Sequence, residues 1–461
     1  MANVHHGQKS ILRLLIAAAA LGMPTGAAAD IRANDMSTAA RRELRADPEI
    51  SQFYASRNYR PVWFANGQLR PEAYTALRLL KTADLDGLDA RKYLHTGIEN
   101  ALAAAKGGNP RALARAEILL SRTFADYVGD VRRPRNIEVV YAEAGLKPPR
   151  PPSRAVLQRL SSAPSLETYL RNISWMHPIY AKLRAELEAT LSSPRYSTDK
   201  VALLRANLDR ASILPGNQQR YILVDTASAR LDYVENGEVR RTMRVIVGSA
   251  DHPTPMMVGM IRYATLNPYW HVPTDLTRER IAPRVLKEGL SYFKARGYEV
   301  VSEWSPSARK IDPSTIDWKA VAAGRTEIYV RQKPGPHNGM GKIKLRFPND
   351  LGIYLHDTPA KQLFAKPQRN YSGGCVRLED AASLGAMVMG GTVLPYSKTP
   401  EATISLSKPV PLYITYLTLR PGPDGTLVNR KDAYGSDRTA HSGATAGIHA
   451  RAPIERSASR S

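Results

Sequence analysis

One cysteine, Cys375, is all the chain holds in 461 residues. An internal disulfide is therefore excluded, and stability has to come from ordinary cores, which a chain of this length can build. Acidic residues are in deficit: 42 Asp and Glu stand against 65 Lys and Arg, a formal charge of +23. A surface charged in this way is drawn to polyanions, among them anionic envelope polymers. No aromatic-interleaved basic strand, helix-turn-helix pattern or zinc spacing accompanies the charge, so no nucleic-acid partner is expected. There is no H-E-x-x-H, no C-x-x-C and no phosphate-cradling glycine loop, so neither a metal site nor any cofactor is expected. Apolar runs long enough to span a bilayer are missing after the first thirty residues, and no transmembrane segment is expected in the mature chain.

What is present begins with an export signal. Lys9 and Arg13 bracket the start of "ILRLLIAAAALGM", too short for a stable span, and "AAAD" at 27–30 supplies an A-x-A cleavage site. Residues 1–29 are read as a signal peptide, which places the mature protein outside the cytoplasm. A lone thiol there is open to oxidation and mispairing, so its retention asks for a reason.

From about 40 to 214 the text is helical. "PEAYTALRLLKTADLDGLDA" places Ala73, Ala76, Leu77 and Leu80 at helical spacing, and "ALARAEILLSRTFADYV" repeats the pattern with Leu113, Ile118, Leu119 and Phe124. The prolines of "RRPRN" and "LKPPRPPSR" make 132–154 a linker or irregular crossover. The period changes near residue 219. "RYILVDTASARLDYVENGEVRRTMRVIVGS" alternates as strands do, and Asn236-Gly237 is a two-residue hairpin signal. "MIRYATLNPYW" and "KIKLRF" continue the β text, the latter with Ile343, Leu345 and Phe347 on one face. Between them, 271–340 reads as a mostly non-strand insertion: a helix capped at Thr274 or Asp275 and interrupted at Pro283. An insertion of that size beside a site is a candidate lid. From 438 to 461 the small, polar composition predicts disorder.

The cysteine sits in "YSGGCVRLED". "IYLH" ahead of it reads as a strand delivering His356 at its end. A helix is expected from "LEDAASLGAMV", with its positive dipole end favouring a thiolate at Cys375. Gly373 and Gly374 allow backbone N–H groups to approach a ligand closely, as an oxyanion site requires. A thiol that attacks an amide also needs a base. Of the ten histidines, His252, His271, His337 and His356 lie in or near the β region, and only His356 leads directly into the cysteine loop. At this level a Cys375–His356 pair and a buried structural thiol beside an unrelated histidine remain equally open.

"YLHDTP", followed 375 − 356 = 19 residues later by the cysteine of "SGGCVRLED", resembles the catalytic signature of L,D-transpeptidases, cysteine enzymes with a YkuD-type β fold. "RYILVDTASARLDYVENGEVRRTMRVIVGSADHPTPMM", "LNPYWHVP", "IDW", "RQKPGPHNGMGKIKLRFPN" and "DAYGSD" are similar in order and spacing to the long branch of that family. "FYASRNYRPVWF" and "DLDGLDARKYL" resemble its scaffold domain. The resemblance covers most of residues 50–437. It implies an α+β chain: a helical scaffold domain over 40–214 with its proline-rich break, then a mostly β catalytic domain over 219–437 with an inserted capping subdomain.

By the same resemblance Cys375 is the nucleophile and His356 its base. Backbone amides around Gly374 and Cys375 stabilise the oxyanion, and Arg377 orients the site or a substrate carboxylate. Gly373, Ser372 and Tyr354 are further oxyanion or substrate-binding candidates read from the residues themselves; the alternatives are that Ser372 only shapes the turn and that Tyr354, two positions before the base, belongs to core or rim. The implied reaction is acyl transfer on peptidoglycan stem peptides in the periplasm, in association with the wall. Two alternatives stay open: a carboxypeptidase or hydrolase using the same acyl-enzyme, and a non-catalytic wall-binding scaffold. There are two departures from the family. Gly373 stands where the motif usually has histidine, and "LRAELEATLSSPRYSTDKVALLRANL" leaves no room for the peptidoglycan-binding module many long members carry. Wall affinity is then expected from the basic surface.

Overall fold

The computed structural model describes residues 47–437 apart from 217, 218, 306, 393, 396 and 423, together with 38, 40, 41 and 44. The expected signal peptide and the expected disordered tail lie outside the described residues. The chain forms two compact units: one of residues up to 74 with 95–123, the other of 75–94 with the chain from 124 onward.

The first unit is helical. Asp47 accepts from Ile50 N–H and opens Pro48–Ser56 with proline in its first turn, while His95 caps Thr96–Ala105. Its interior is organised by a buried carboxylate. Glu117, on Pro110–Val131, accepts from Val62 and Trp63 N–H and from the Tyr54 hydroxyl at 2.6 Å. A buried acid held by three donors fixes the chain around it, and burial nonetheless raises its pKa.

In the second unit the helices Ser153–Ser161, Pro178–Leu191 and Thr198–Ala211 belong with the β-sheet. Asn207 donates to Thr418 Oγ1 at 2.9 Å, Arg210 pairs with Asp437 at 2.6 Å, and His177 meets the Tyr221 hydroxyl at 3.0 Å. The proline-rich stretch is more than a linker. Its β1 (Val140–Tyr141) pairs in parallel with β5 (Met257–Leu266).

The remaining sheet strands are β2 (Arg220–Asp225), β3 (Arg230–Glu235), β4 (Glu238–Gly248), β10 (Ile343–Arg346), β11 (Leu355–His356), β12 (Asn370–Ser372), β13 (Val376–Leu378) and β14 (Ala402–Thr415). The β3–β4 turn is the predicted Asn236-Gly237 hairpin, with φ of 55° and 76° at its two residues. The order is β10-β11-β13-β4-β3-β2-β14-β5, and β10 also pairs with β5, which closes the sheet on itself. β12 pairs with β4 off this path. Closure removes edges that would otherwise expose unpaired backbone groups. Ile222, Val224, Leu231, Val245, Leu345, Leu355, Val376 and Leu378 are buried in one core.

The insertion is mostly non-strand, as expected, with a small sheet the sequence did not announce. It carries its own antiparallel sheet, β8-β7-β9-β6, from β6 (Trp270–Val272), β7 (Tyr298–Val301), β8 (Lys310–Ile311) and β9 (Tyr329–Gln332). These strands are short and separated by helices, so the alternation is spread too thinly to read. Val272, Phe293, Val300, Trp318 and Val330 give the insertion a core of its own. Neither Thr274 nor Asp275 caps the first turn, which follows Pro273 without a side-chain cap. The break at Pro283 takes the form of a π-helical stretch, Thr277–Ile281, just upstream of it, because proline has no N–H to continue the ladder.

Candidate active site

Period-two alternation on three adjoining strands builds the site. In β10, Ile343 and Leu345 face the core, and in β11 Leu355 does, as do Val376 and Leu378 in β13. The intervening residues face the other way. The antiparallel register sets Lys344 opposite His356, and the parallel register sets His356 opposite Arg377. Val376 N–H donates to the Tyr354 carbonyl at 2.9 Å, so one step back along each strand Cys375 adjoins Tyr354, and Arg346 adjoins Tyr354 on the other side. The result is a grid of two rows, Arg346–Tyr354–Cys375 and Lys344–His356–Arg377, on strands about 4.8 Å apart. All six line one cavity of about 320 Å³, whose opposite wall comes from Trp270, His271, Leu276, Arg280 and Trp304 of the insertion.

His356 is 4% exposed, and its Nδ1 lies 2.5 Å from the Asp357 carbonyl oxygen. A carbonyl can only accept, so Nδ1 carries the proton and Nε2 keeps its lone pair. Burial first, then the Arg377 charge, pushes the imidazole down to about 3, with the Asp357 contact opposing. The resting imidazole is therefore neutral. Cys375 Sγ lies 3.4 Å from the Gly352 carbonyl oxygen.

The cysteine loop is pinned from several sides. Gly374 has φ of 112°, which an L residue rarely adopts. Its carbonyl accepts from Thr254 Oγ1 at 2.7 Å, and Thr254 in turn accepts from Gly248 N–H. Ser372 Oγ donates to the Cys375 carbonyl at 2.6 Å and accepts from Gly374 N–H at 3.1 Å. Ser372 thus shapes the turn, and the Gly374 amide, expected to face an oxyanion, is engaged within the loop. Arg369 ties the loop down through the Ser228, Ala229 and Val245 carbonyls. The expected helix-dipole placement of the thiol is corrected. β13 intervenes, because Val376 and Leu378 are core residues of a strand between β11 and β4, and the helix starts only at Ala381 behind an Asp380 cap.

At the motif position where histidine is usual, Gly373 lies close against Leu276. A Cβ there would lie 2.8 Å from Leu276 Cδ1 of the insertion. Of the four β-region histidines, His271 lines the cavity beside His356, whereas His252 bonds Glu279 at 2.8 Å. Burial, then the Lys344 charge, pushes His271 down to about 4. Thr254, Arg369 and Lys344 carried no motif signal. Only Lys344 was within reach of the sequence, as the residue opposite in phase to Ile343 and Leu345. Among the described residues no His, Cys, Asp and Glu cluster could hold a metal, and no helix is long and apolar enough to cross a membrane.

Two family models match the chain: the scaffold domain over 48–187 and the L,D-transpeptidase catalytic domain, YkuD, over 219–404. A Haemophilus influenzae protein named "Putative L,D-transpeptidase" is 28% identical over 410 residues, covering 86% of this chain and 79% of that one. Two solved structures overlap in part. The avibactam carbamoyl enzyme of Ldtfm has 11% identity and TM-score 0.22 over 44% of this chain and 51% of its own. An L,D-transpeptidase from Mycobacterium smegmatis has 15% identity and TM-score 0.21 over 42% and 58%. The chain thus spans little more than half of either structure. With a scaffold domain ahead of a YkuD catalytic domain, it belongs to the L,D-transpeptidase family.

Proposed function

We propose that this chain is a peptidoglycan L,D-transpeptidase that forms 3→3 cross-links between stem peptides through a thioester on Cys375. The reading rests on one observation above all. His356 is held with its proton on Nδ1 and its Nε2 lone pair available, on the same strand face and in the same cavity as the thiol. Cys375 Sγ gives its proton to His356 Nε2 and bonds the carbonyl carbon of the third, diamino acid residue of a tetrapeptide stem. The bond to the terminal D-Ala breaks, and its nitrogen leaves with the proton from His356. The side-chain amine of a neighbouring stem then attacks the thioester, its proton passes through His356 to sulfur, and the free thiol returns.

The developing negative charge on sulfur meets Arg377 and Lys344; burial lowers the pKa of both, and the Cys375 charge opposes that shift. With the imidazole neutral at rest, these cations supply the countercharge that favours the thiolate. With the Gly374 amide engaged, oxyanion stabilisation falls to the Cys375 N–H and this cationic face. Residues 40–214 serve as scaffold and 219–437 as the catalytic domain, with 271–340 covering the cleft. Export to the periplasm and wall association through the basic surface complete the reading, with anionic envelope polymers as further contacts.

Mass spectrometry of Cys375 after incubation with a carbapenem is the first test. A covalent adduct is expected, and its absence would point to a non-catalytic wall-binding scaffold. Muropeptide analysis of wild type against Cys375→Ala is the second. Loss of 3→3 cross-links supports the transpeptidase, whereas loss of tripeptide stems alone would point to water resolving the thioester, as in a carboxypeptidase.

A further inference from the structure

Buried cations in this chain are paired as a rule. Arg184 meets Asp86 at 2.9 Å, Arg210 meets Asp437 at 2.6 Å, and Arg331 meets Glu299 at 3.0 Å. The reason is general: a charge withdrawn from water costs several kcal/mol unless an opposite charge receives it. The cavity over Cys375 breaks the rule. Arg280, Lys344, Arg346 and Arg377 all line it, and among the described residues none of the four has a carboxylate within ion-pair distance or a side-chain hydrogen bond. Arg377 Nε is wholly buried with no acceptor. Lys344 is 6% exposed, and its ammonium has only the face of the Tyr354 ring, 5.0 Å from the centroid. The sole acid in the lining is Glu401, whose Oε1 accepts from Tyr269 N–H at 2.6 Å and which stays beyond ion-pair distance of Lys344. One acid against four cations leaves the cavity strongly positive. Arg280 is exposed, but Lys344 is buried and Arg346 and Arg377 are half-buried, and unpaired cations held this far from water suit anions that arrive with the ligand.

The grid says where such an anion would sit. Cys375 adjoins Tyr354 on the neighbouring strand, and the Lys344 side chain reaches back from the strand beyond to lie over that same ring. Its ammonium therefore lies over the ring of the residue that adjoins Cys375, with Arg346 adjoining Tyr354 on the same strand as Lys344. We infer that Lys344, with Arg346, is a specificity-determining subsite that reads a free carboxylate on the side chain of the very residue whose carbonyl Cys375 attacks. This rests on the acyl-transfer reading of the site. The donor class it selects is a stem whose diamino acid is also a dicarboxylate, in preference to stems in which that carboxylate is amidated or missing. The subsite is separate from Arg377, which lies on β13 across His356.

The test compares two tetrapeptide donors that differ only at the third residue's side-chain terminus, carboxylate against carboxamide. D-Ala release by the full chain is followed. A charge-assisted contact of this kind corresponds to roughly tenfold or more in preference for the carboxylate donor, expressed mainly in KM. In Lys344→Met the ratio is expected to fall toward one, and in Lys344→Arg it is expected to persist. Lys344→Met replaces an unpaired buried cation by an apolar side chain of similar length, so its melting temperature is expected to hold or rise. Equal use of both donors by wild type would overturn the inference, as would a Lys344→Met enzyme that slows on both donors in the same proportion. Carbapenem acylation of wild-type Cys375 separates this from the reading beneath it. A protein that is acylated yet does not discriminate fails only the carboxylate subsite, whereas one that is never acylated fails the acyl-enzyme itself.

Discussion

Restoring a side chain at residue 373 is the sharpest perturbation the site offers. A Cβ there would stand 2.8 Å from Leu276 Cδ1 and 3.2 Å from Cδ2, closer than real Cβ contacts allow. Leu276 is 6% exposed and packs in the insertion's core, and because it also lines the cavity, relief of the clash requires its side chain to turn toward that space. Overfilling a packed site costs about 1–3 kcal/mol, with Gly373→Ala at the low end and Gly373→His beyond it. At about 2–4 °C per kcal/mol for a domain of this size, Gly373→His is expected to lower the melting temperature by several degrees. The insertion would be pushed off the cysteine loop, and the rate of Cys375 acylation should fall. Trimming the obstacle in Leu276→Ala costs stability by itself. In Leu276→Ala/Gly373→His the new side chain occupies the vacated space, so the double variant should be more stable than the sum of its parts by about 0.5–3 kcal/mol. Thermal unfolding and single-turnover acylation on the four proteins measure this cycle. Strict additivity, or a Gly373→His protein that melts and reacts like wild type, would refute the idea that Leu276 has taken the histidine's place.

Two further predictions concern the surroundings of the thiol. Thr254→Val leaves Gly248 N–H and the Gly374 carbonyl without their partner and is expected to destabilise by about 1–3 kcal/mol while slowing acylation. Thr254→Ser, which keeps the hydroxyl, should recover most of both. Stability should also decline on mild acidification. His177, His271 and His356 are held at about 4, 4 and 3 by burial, so between those values and the ordinary 6.5 the unfolded chain binds more protons than the folded one. Their contribution is fully present above pH 6.5 and is lost as pH falls, by up to about 1.4 kcal/mol per pH unit for each. A melting temperature that stays flat from pH 7 to pH 5, above the range where carboxylates titrate, would contradict it.

Local chemistry made much of the site legible in advance. Asn236-Gly237 announced its hairpin because both residues tolerate positive φ, and the alternation of "KIKLRF" separated core from cavity without knowledge of the neighbours. A thiol's need for a base made His356 and Cys375 a candidate pair, and folding brings both to one cavity. What escaped depends on contacts far along the chain. β13 is three residues long and is a strand only because β11 and β4 lie on either side of it. The "linker" residues Val140 and Tyr141 become a strand only when β5 offers an edge. Thr254 is one threonine among many until folding carries it to Gly374. His271 has no route to the cysteine in sequence that would make it the base, and as a residue open to lining the cleft it does reach the cavity through the fold of the insertion.

The four residues of β10 perform two jobs whose demands do not overlap. Ile343 and Leu345 point inward and seal the cylinder's seam, while Lys344 and Arg346, a half-period out of phase, furnish the chamber outside. Exchange of the outward pair changes the charge of the chamber and leaves the inward pair, and so the closure, untouched. In a chain built this way the lining of the chamber can change while the frame stands still.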